Sequence, residues 1–159
     1  MAMKVGIDSY CFHRYFGEVY GHQTAPAPED RMTMEDFLTF AKRLEVDGVS
    51  LESCFFPRYD ARWFAGLKAQ LDDYGFDRVY AWGHPDGLEA GRNEDAFHDM
   101  IKHIEYAAAI GAPVMRICAS SFSFRLEPHA PRSPGRAHVA GAVSAGCPGP
   151  TGRHAPHAA

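Results

Sequence analysis

The segment Phe37-Leu-Thr-Phe-Ala-Lys-Arg-Leu-Glu-Val-Asp-Gly-Val-Ser-Leu-Glu-Ser-Cys54 changes its apolar period within a few residues. Its first half repeats apolar side chains at i, i+3, i+4 and i+7, and this period predicts a helix that Thr33 can cap. Asp47-Gly48 then turns the chain into a short strand over residues 49–54. The segment therefore predicts one helix-to-strand step of a repeating α/β pattern.

The same alternation extends in both directions along the chain. Strands are predicted over residues 4–10, 78–83 and 113–118, and helices over 60–74 and 93–110, the last with Phe97, Ile101, Ile104 and Ala108 on one side. A (β/α)₈ barrel allots about 31 residues to each βα unit, which fits this spacing. An open doubly wound sheet gives the same alternation, but the first βα turn has no Gly-rich phosphate-binding fingerprint. The pattern favours an α/β fold with the first four strands and three helices of a partial (β/α)₈ TIM barrel.

The composition changes after Pro131. Residues 132–159 contain no Asp, Glu, Lys, Leu, Ile, Met or aromatic residue, and Val139 and Val143 are their only sizeable apolar side chains. Such a stretch cannot bury enough apolar area to offset an ordering cost of about 1–2 kcal/mol per residue. We therefore expect a half-barrel domain over 1–131 and a disordered tail over 132–159. The tail is either a natural flexible extension or an out-of-frame reading of a GC-rich gene.

The overall composition excludes several classes of protein. The formal net charge is −4 and no basic stripe is present, which argues against a nucleic-acid partner. No run of 18 apolar residues predicts a membrane span, and the first residues form no signal-peptide core. The four cysteines form no Cys-x-x-Cys pair, so neither a disulfide framework nor a zinc site is expected. These features favour a cytoplasmic protein.

Chemically useful side chains cluster where the predicted strands end. In a (β/α)₈ barrel the active site lies at the carboxyl ends of the strands, so these are the positions to consider. A carboxylate, histidines, an arginine and aromatic rings on one rim suit a small polyol or keto-sugar, with rings against its apolar face and charged groups on its hydroxyls. The predicted substrate-binding residues are Tyr10, His13, Glu52, Trp82, His84 and Arg116.

Most of these residues also have a purely structural interpretation. Glu52 sits in a strand that should be buried, where it could form an ion pair with Arg116 or Arg78. His84 could order its loop, His13 could be exposed, and Trp82 could pack in the core unless it points into the barrel mouth. Glu52, His13 and His84 could meet on one rim, but no tight ligand motif supports a metal site, and none is assigned.

Four motifs lie at or near the predicted strands. They are Gly6-Ile-Asp-Ser-Tyr10, Asp47-Gly-Val-Ser-Leu-Glu52, Ala81-Trp-Gly-His-Pro-Asp-Gly-Leu-Glu89 and Ile110-Gly-Ala-Pro-Val-Met-Arg116. Together they resemble the xylose isomerase-like family, which includes sugar-phosphate isomerases and epimerases, and the resemblance covers roughly residues 3–131. It implies a (β/α)₈ barrel that binds Mn²⁺, Mg²⁺ or Co²⁺ through two glutamates, an aspartate and a histidine on its fifth and later strands.

The positions of the family's metal ligands have no counterpart in this sequence, and no catalytic residue can be carried over. Glu52 and His84 look like the family's substrate-side residues on the second and third strands, and Arg116 lies at the fourth. The resemblance implies metal-dependent proton transfer next to a carbonyl in full-length relatives, with this chain expected to be inactive. The alternative is a non-catalytic half-barrel that binds a small polyol or sugar and forms a homodimer through its open edges. A less favoured third interpretation is an active homodimer whose metal site combines His13, Glu52 and His84.

Overall fold

Four parallel strands form one sheet in the order β1–β2–β3–β4. The computed structural model describes residues 3–84, 87–89 and 92–118. The strands are β1 (Gly6–Asp8), β2 (Gly48–Glu52), β3 (Asp77–Gly83) and β4 (Val114–Cys118), and the helices are α1 (His13–Phe16), α2 (Met34–Arg43), α3 (Ala61–Tyr74) and α4 (Glu94–Ala109). The predicted α/β alternation with four strands is confirmed. The predicted tail over 132–159 lies outside the described residues.

Each long helix connects two neighbouring strands, and strand order and sequence order agree throughout the described part of the sheet. Side chains of α2, α3 and α4 join Val49, Leu51, Tyr80 and Trp82 in one apolar core. The three helices therefore cover the same face of the sheet, as expected when successive crossovers have the same hand.

The Asp47-Gly48 junction ties the amino ends of three strands together. The Asp47 main chain pairs with Val5 through N–H to O at 2.8 Å, and its carbonyl accepts from Asp77 N at 2.9 Å. The Asp47 carboxylate also accepts from Val5 N at 2.7 Å. A Cβ at Gly48 would lie only 2.7 Å from the carbonyl oxygen of Asp77, so the close approach of β2 and β3 requires glycine there.

Capping residues mark ends of the three long helices, and Thr33 is the cap that the sequence predicted. Thr33 and Asp36 form a capping box at the start of α2, in which each side chain accepts from the other residue's backbone N–H. Asn93 caps α4 by accepting from Ala96 N at 3.0 Å. Gly75 ends α3 in the left-handed conformation that glycine tolerates best. α1 was not predicted, since its single turn is too short to show a helical period.

The core-facing side of α4 differs from its most apolar stripe. Ala96, His103, Ala107 and Ile110 are buried, and the small alanines allow the helix to approach the sheet. Phe97, Ile101 and Ile104, which the sequence grouped on one side, remain exposed. The apolar residues of α4 thus extend further around the helix than the part of its surface that is buried.

A polar network crosses the interface between β3 and α4. The Tyr80 hydroxyl and His103 Nδ1 are hydrogen-bonded at 2.6 Å. Asp99 Oδ2 accepts from Trp82 Nε1 at 2.9 Å and lies 3.5 Å from His103 Nε2. The rings around the imidazole belong to Tyr59, Tyr80, Trp82 and Tyr106. This network satisfies polar atoms that would otherwise be costly to bury.

Protonation of His103 should link the stability of this network to pH. Burial lowers the pKa of His103 from its ordinary value of 6.5, although the charge of Asp99 opposes the shift. Just below that ordinary value the unfolded chain binds a proton that the folded chain does not, so the free energy of unfolding falls as pH falls. Urea titrations at pH 7.5 and 5.5 measure this effect. Between these two pH values, the free energy of unfolding should fall by about 1 kcal/mol more in the natural chain than in His103→Gln.

The comparison with His103→Gln cancels the other titrating groups. Glu52 is one of them, and its raised pKa acts in the opposite direction. An equal change of stability with pH in the two chains would show that His103 is not the linked group.

Candidate functional site

The strand register places three charged residues on the face of the sheet opposite the helices. Asp8 pairs with Ser50, and Glu52 pairs with Ala81, which pairs in turn with Arg116. Side chains alternate between faces along a strand, so these residues share one face, and Tyr80 and Trp82 occupy the other. We call this surface the open face. Asp8, Glu52 and Arg116 lie at or near the carboxyl ends of three different strands.

Asp8, Glu52 and Arg116 form an ion cluster on the open face. Arg116 Nη2 donates to Glu52 Oε1 and to Asp8 Oδ2, the latter at 3.3 Å. The backbone N–H of Glu52 donates to the buried Ser9 Oγ at 2.8 Å, which fixes the strand end beneath the carboxylate. The ion pair that the sequence suggested for Glu52 therefore involves Arg116. Arg78 instead binds the Ile110 carbonyl at the end of α4.

The environment of Glu52 favours its protonated form. Burial raises the pKa of the Glu52 carboxyl from its ordinary value, and the negative charges of Asp8 and Glu18 add to the increase. The Arg116 guanidinium opposes these effects without cancelling them. A carboxyl in this condition exchanges a proton closer to neutral pH than an exposed glutamate does.

The segment after β1 contributes a chain of hydrogen bonds between two tyrosine hydroxyls and a carboxylate beside the ion cluster. The Tyr10 and Tyr20 hydroxyls are hydrogen-bonded to each other, and the Tyr20 hydroxyl donates to Glu18 Oε1. His13 Nδ1 is hydrogen-bonded to the Glu18 carbonyl at 2.8 Å, and its ring lies 5.5 Å from that of Tyr10. Burial and the bond to Glu18 raise the pKa of the Tyr20 phenol, which keeps it protonated as a donor.

This segment is anchored by aromatic packing. Phe16 stacks on Phe55 with centroids 4.3 Å apart, and Phe55 also stacks against Tyr10 at 6.4 Å. Phe12 packs on Phe37 of α2 at 5.8 Å. The rings of the β1 and β2 loops thereby fix Tyr10 and His13 near the ion cluster.

Glu18 and Tyr20 were not among the predicted site residues. They lie in an irregular segment, where neither a strand period nor a motif marks them. Asp8 was passed over in the same way, although its motif, Gly6-Ile-Asp-Ser-Tyr10, was recognised. The first strand was predicted over residues 4–10, which placed Asp8 inside it, whereas the observed strand ends at Asp8.

Trp82 is placed differently from the sequence expectation that grouped it with the substrate-binding residues. Its side chain is 2% exposed and its indole N–H donates to Asp99 of α4, on the helix-covered face. The cause is the alternation of side chains along β3, which directs Ala81 to the open face and Trp82 to the core. His84 follows β3, half-buried, with its ring 6.4 Å from that of Trp82.

The ion cluster is a poor fit for a divalent cation. Within residues 3–84, 87–89 and 92–118, no three His, Cys, Asp or Glu side chains are arranged to hold a metal ion. Glu52 and Asp8 both direct an oxygen at the Arg116 guanidinium, whose positive charge would repel a bound cation. These residues therefore do not support a metal-dependent step. Their arrangement instead suits hydrogen bonds to hydroxyl groups and proton exchange at Glu52.

The chain matches no model of a known protein family, and no curated protein matches it significantly. None of the helices in the described ranges is long and apolar enough to cross a membrane.

Removing Arg116 should destabilise the fold, because the buried Glu52 carboxylate loses its positively charged partner. Arg116→Met leaves that carboxylate without its cation. We therefore expect the free energy of unfolding to fall by about 1–3 kcal/mol at pH 8. The effect is limited because the arginine side chain is half-exposed. The loss should shrink as pH falls, because the raised pKa of Glu52 lets it protonate sooner than an exposed glutamate, and a neutral carboxyl needs no cation.

A matched surface pair supplies the control for this measurement. Arg58 and Asp60 lie 3.9 Å apart with both side chains largely exposed, so Arg58→Met should change stability by no more than about 0.5 kcal/mol. Similar losses in the two variants would contradict a special cost at Glu52.

Proposed function

We propose that this chain forms part of a (β/α)₈ barrel whose ion cluster belongs to a binding site for a small, uncharged sugar or polyol. Two observations support the barrel. The four strands follow one another in sequence order, and polar side chains gather at their carboxyl ends on the face away from the helices. In (β/α)₈ barrels this end of the sheet carries the active site.

The meeting of Asp8, Glu52 and Arg116 is the observation that carries the proposal. These residues come from three strands and lie far apart in sequence, yet one guanidinium nitrogen bonds both carboxylates. Glu52 is the buried member of this cluster, and burying a carboxylate costs free energy that an apolar residue of similar volume would not. A costly polar cluster at the carboxyl ends of parallel strands is therefore better explained by ligand binding than by stability.

The charges of the site favour an uncharged ligand. Three carboxylates, Asp8, Glu18 and Glu52, act on this region, and Arg116 already bonds two of them. A phosphate ester or carboxylate would meet net negative charge and would find the guanidinium engaged. A neutral polyol can exchange hydrogen bonds with the same carboxylates, and the half-exposed Tyr10 ring offers a surface for its apolar face.

The chemistry proposed for this site is that of a sugar isomerase or epimerase. Glu52, with its raised pKa, would hold or accept a proton near a substrate hydroxyl, and Arg116 would keep the Glu52 carboxyl in position. In the family that the sequence resembles, a divalent metal polarises the carbonyl, and residues able to hold such a metal are not found among the described ranges. The role supported for these residues is substrate binding and orientation.

A non-catalytic, self-associating sugar-binding half-barrel is the second candidate. The observation in its favour is that β1 and β4 are the outer strands of the described sheet, and both carry exposed apolar residues, Val5 beside β1 and Val114 and Ile117 in β4. Such edges can pair with a second chain.

Ligand titration tests the binding site. Isothermal titration with neutral aldoses, ketoses and inositols should detect a ligand, and the phosphate ester of the same sugar should bind more weakly. Glu52→Gln should weaken binding about 10-fold, because a neutral amide replaces the charge-assisted acceptor. Asp73→Asn, on the exposed face of α3, is the control and should bind as the natural chain does. Equal affinities for the two variants would contradict the assignment of Glu52.

Isotope exchange separates the two candidate functions. Incubation of an aldose or ketose ligand in D₂O with the full chain should incorporate deuterium next to the carbonyl if the site belongs to an isomerase or epimerase. Glu52→Gln should then reduce the rate of exchange by about 100-fold or more. Binding without exchange would instead support the non-catalytic candidate, and sedimentation would show whether that form is a dimer.

A further inference from the structure

An apolar stripe on α4 remains exposed beside the last strand. Phe97, Ile101 and Ile104 are 46%, 43% and 49% exposed, and Ile117 of β4 adds a fourth exposed apolar side chain at 42%. These four residues are named the α4 stripe. Large apolar residues that recur on one side of a helix normally face another part of a protein.

The α4 stripe faces away from α3. Tyr106 of α4 stacks on Phe64 of α3 with centroids 5.0 Å apart, which fixes the side of α4 that meets α3. At about 100° per residue, Phe97, Ile101 and Ile104 lie roughly 160–220° around the helix from Tyr106. The stripe therefore lies on the side of α4 that neither α3 nor the core occupies, next to the outer strand β4.

The chain leaves β4 close to one end of the α4 stripe. β3 and β4 are parallel, so α4, which connects them, runs in the opposite direction. Phe97, in the first turn of α4, is thus near the carboxyl end of β4, where Cys118 ends the strand. A segment that follows Cys118 and turns back along β4 passes Phe97 first and Ile104 last.

The sequence that follows has a matching set of apolar residues. Phe122, Phe124 and Leu126 are separated by the polar Ser123 and Arg125. The three apolar positions span up to about 13 Å of chain, whereas Phe97 to Ile104 spans about 10 Å of helix. Phe122 is four residues from Cys118, a reach of at most about 14 Å.

A second copy of the chain is a less suitable partner for the α4 stripe than this segment. The four partly exposed side chains offer on the order of 300 Å² of apolar surface, whereas a stable interface buries about 800 Å² on each partner. A segment of the same chain avoids the loss of translational and rotational freedom that association of two molecules requires. Residues 132–159 hold only Val139 and Val143 as sizeable apolar side chains, so they are a poorer match.

We propose that residues 119–131 dock on the α4 stripe through Phe122, Phe124 and Leu126. The docked segment covers Phe97, Ile101 and Ile104, and it borders the outer strand β4. This inference does not depend on the proposed sugar site, because the stripe lies on the helix-covered side of the sheet and the ion cluster lies on the open face.

Photo-cross-linking in the full chain tests the docking. A benzophenone amino acid replaces Ile101, in the stripe, or Lys102, which is exposed about 100° further round the helix. After irradiation and proteolysis, mass spectrometry should find intramolecular cross-links from position 101 to residues 119–131 at least tenfold more often than from position 102. Phe122→Ser with Phe124→Ser should remove these cross-links, and Val139→Ser with Val143→Ser should leave them unchanged.

Three outcomes would overturn the proposal. Cross-links from position 101 found only in a covalent dimer would assign the stripe to a second copy. Similar yields from positions 101 and 102 would show non-specific contact, as would yields that the Phe122 and Phe124 substitutions do not reduce. The comparison of positions 101 and 102 uses the natural segment, so it holds even if the doubly substituted chain does not fold.

Discussion

The junction at Asp47 and Gly48 is the constraint on which the rest of the described structure depends. Asp47 bonds the main chain before β1 and the start of β3, and Gly48 allows β3 to approach where any side chain would collide. Once the amino ends of three strands are held level, parallel pairing fixes which residues share each face. The core on one face and the ion cluster on the other both follow from that register.

The two faces of the sheet use polar groups in different ways. On the helix-covered face, Tyr80, His103, Asp99 and Trp82 are joined by hydrogen bonds and an ion pair, so the Tyr80 hydroxyl, the imidazole and the indole N–H all have partners. On the open face, Arg116 holds two carboxylates at the solvent-facing strand ends, where a hydroxylated ligand could replace or extend the existing bonds. The first arrangement serves packing, and the second underlies the proposed binding site.

Local signals predicted most of the fold and part of the candidate site. The apolar periods and the cap at Thr33 marked the long helices, because these features act within a few residues of the chain. Glu52 and Arg116 were identified because each stands near the end of a strand. Glu18 and Tyr20 were missed, since their position beside the cluster depends on how an irregular segment packs against Phe55 and Phe37.

The sequence by itself determined the alternation of strands and helices, their approximate ends and the charged residues available at the strand ends. Only the tertiary structure decided which of those residues meet. It directed Trp82 to the core, and it brought Asp8 to Arg116 across 108 positions of sequence. It also left Phe97, Ile101 and Ile104 exposed while smaller residues of α4 met the sheet. The physical reason is that period and capping are properties of neighbouring residues, whereas the face that a side chain joins depends on strand register and on the surfaces that pack around it.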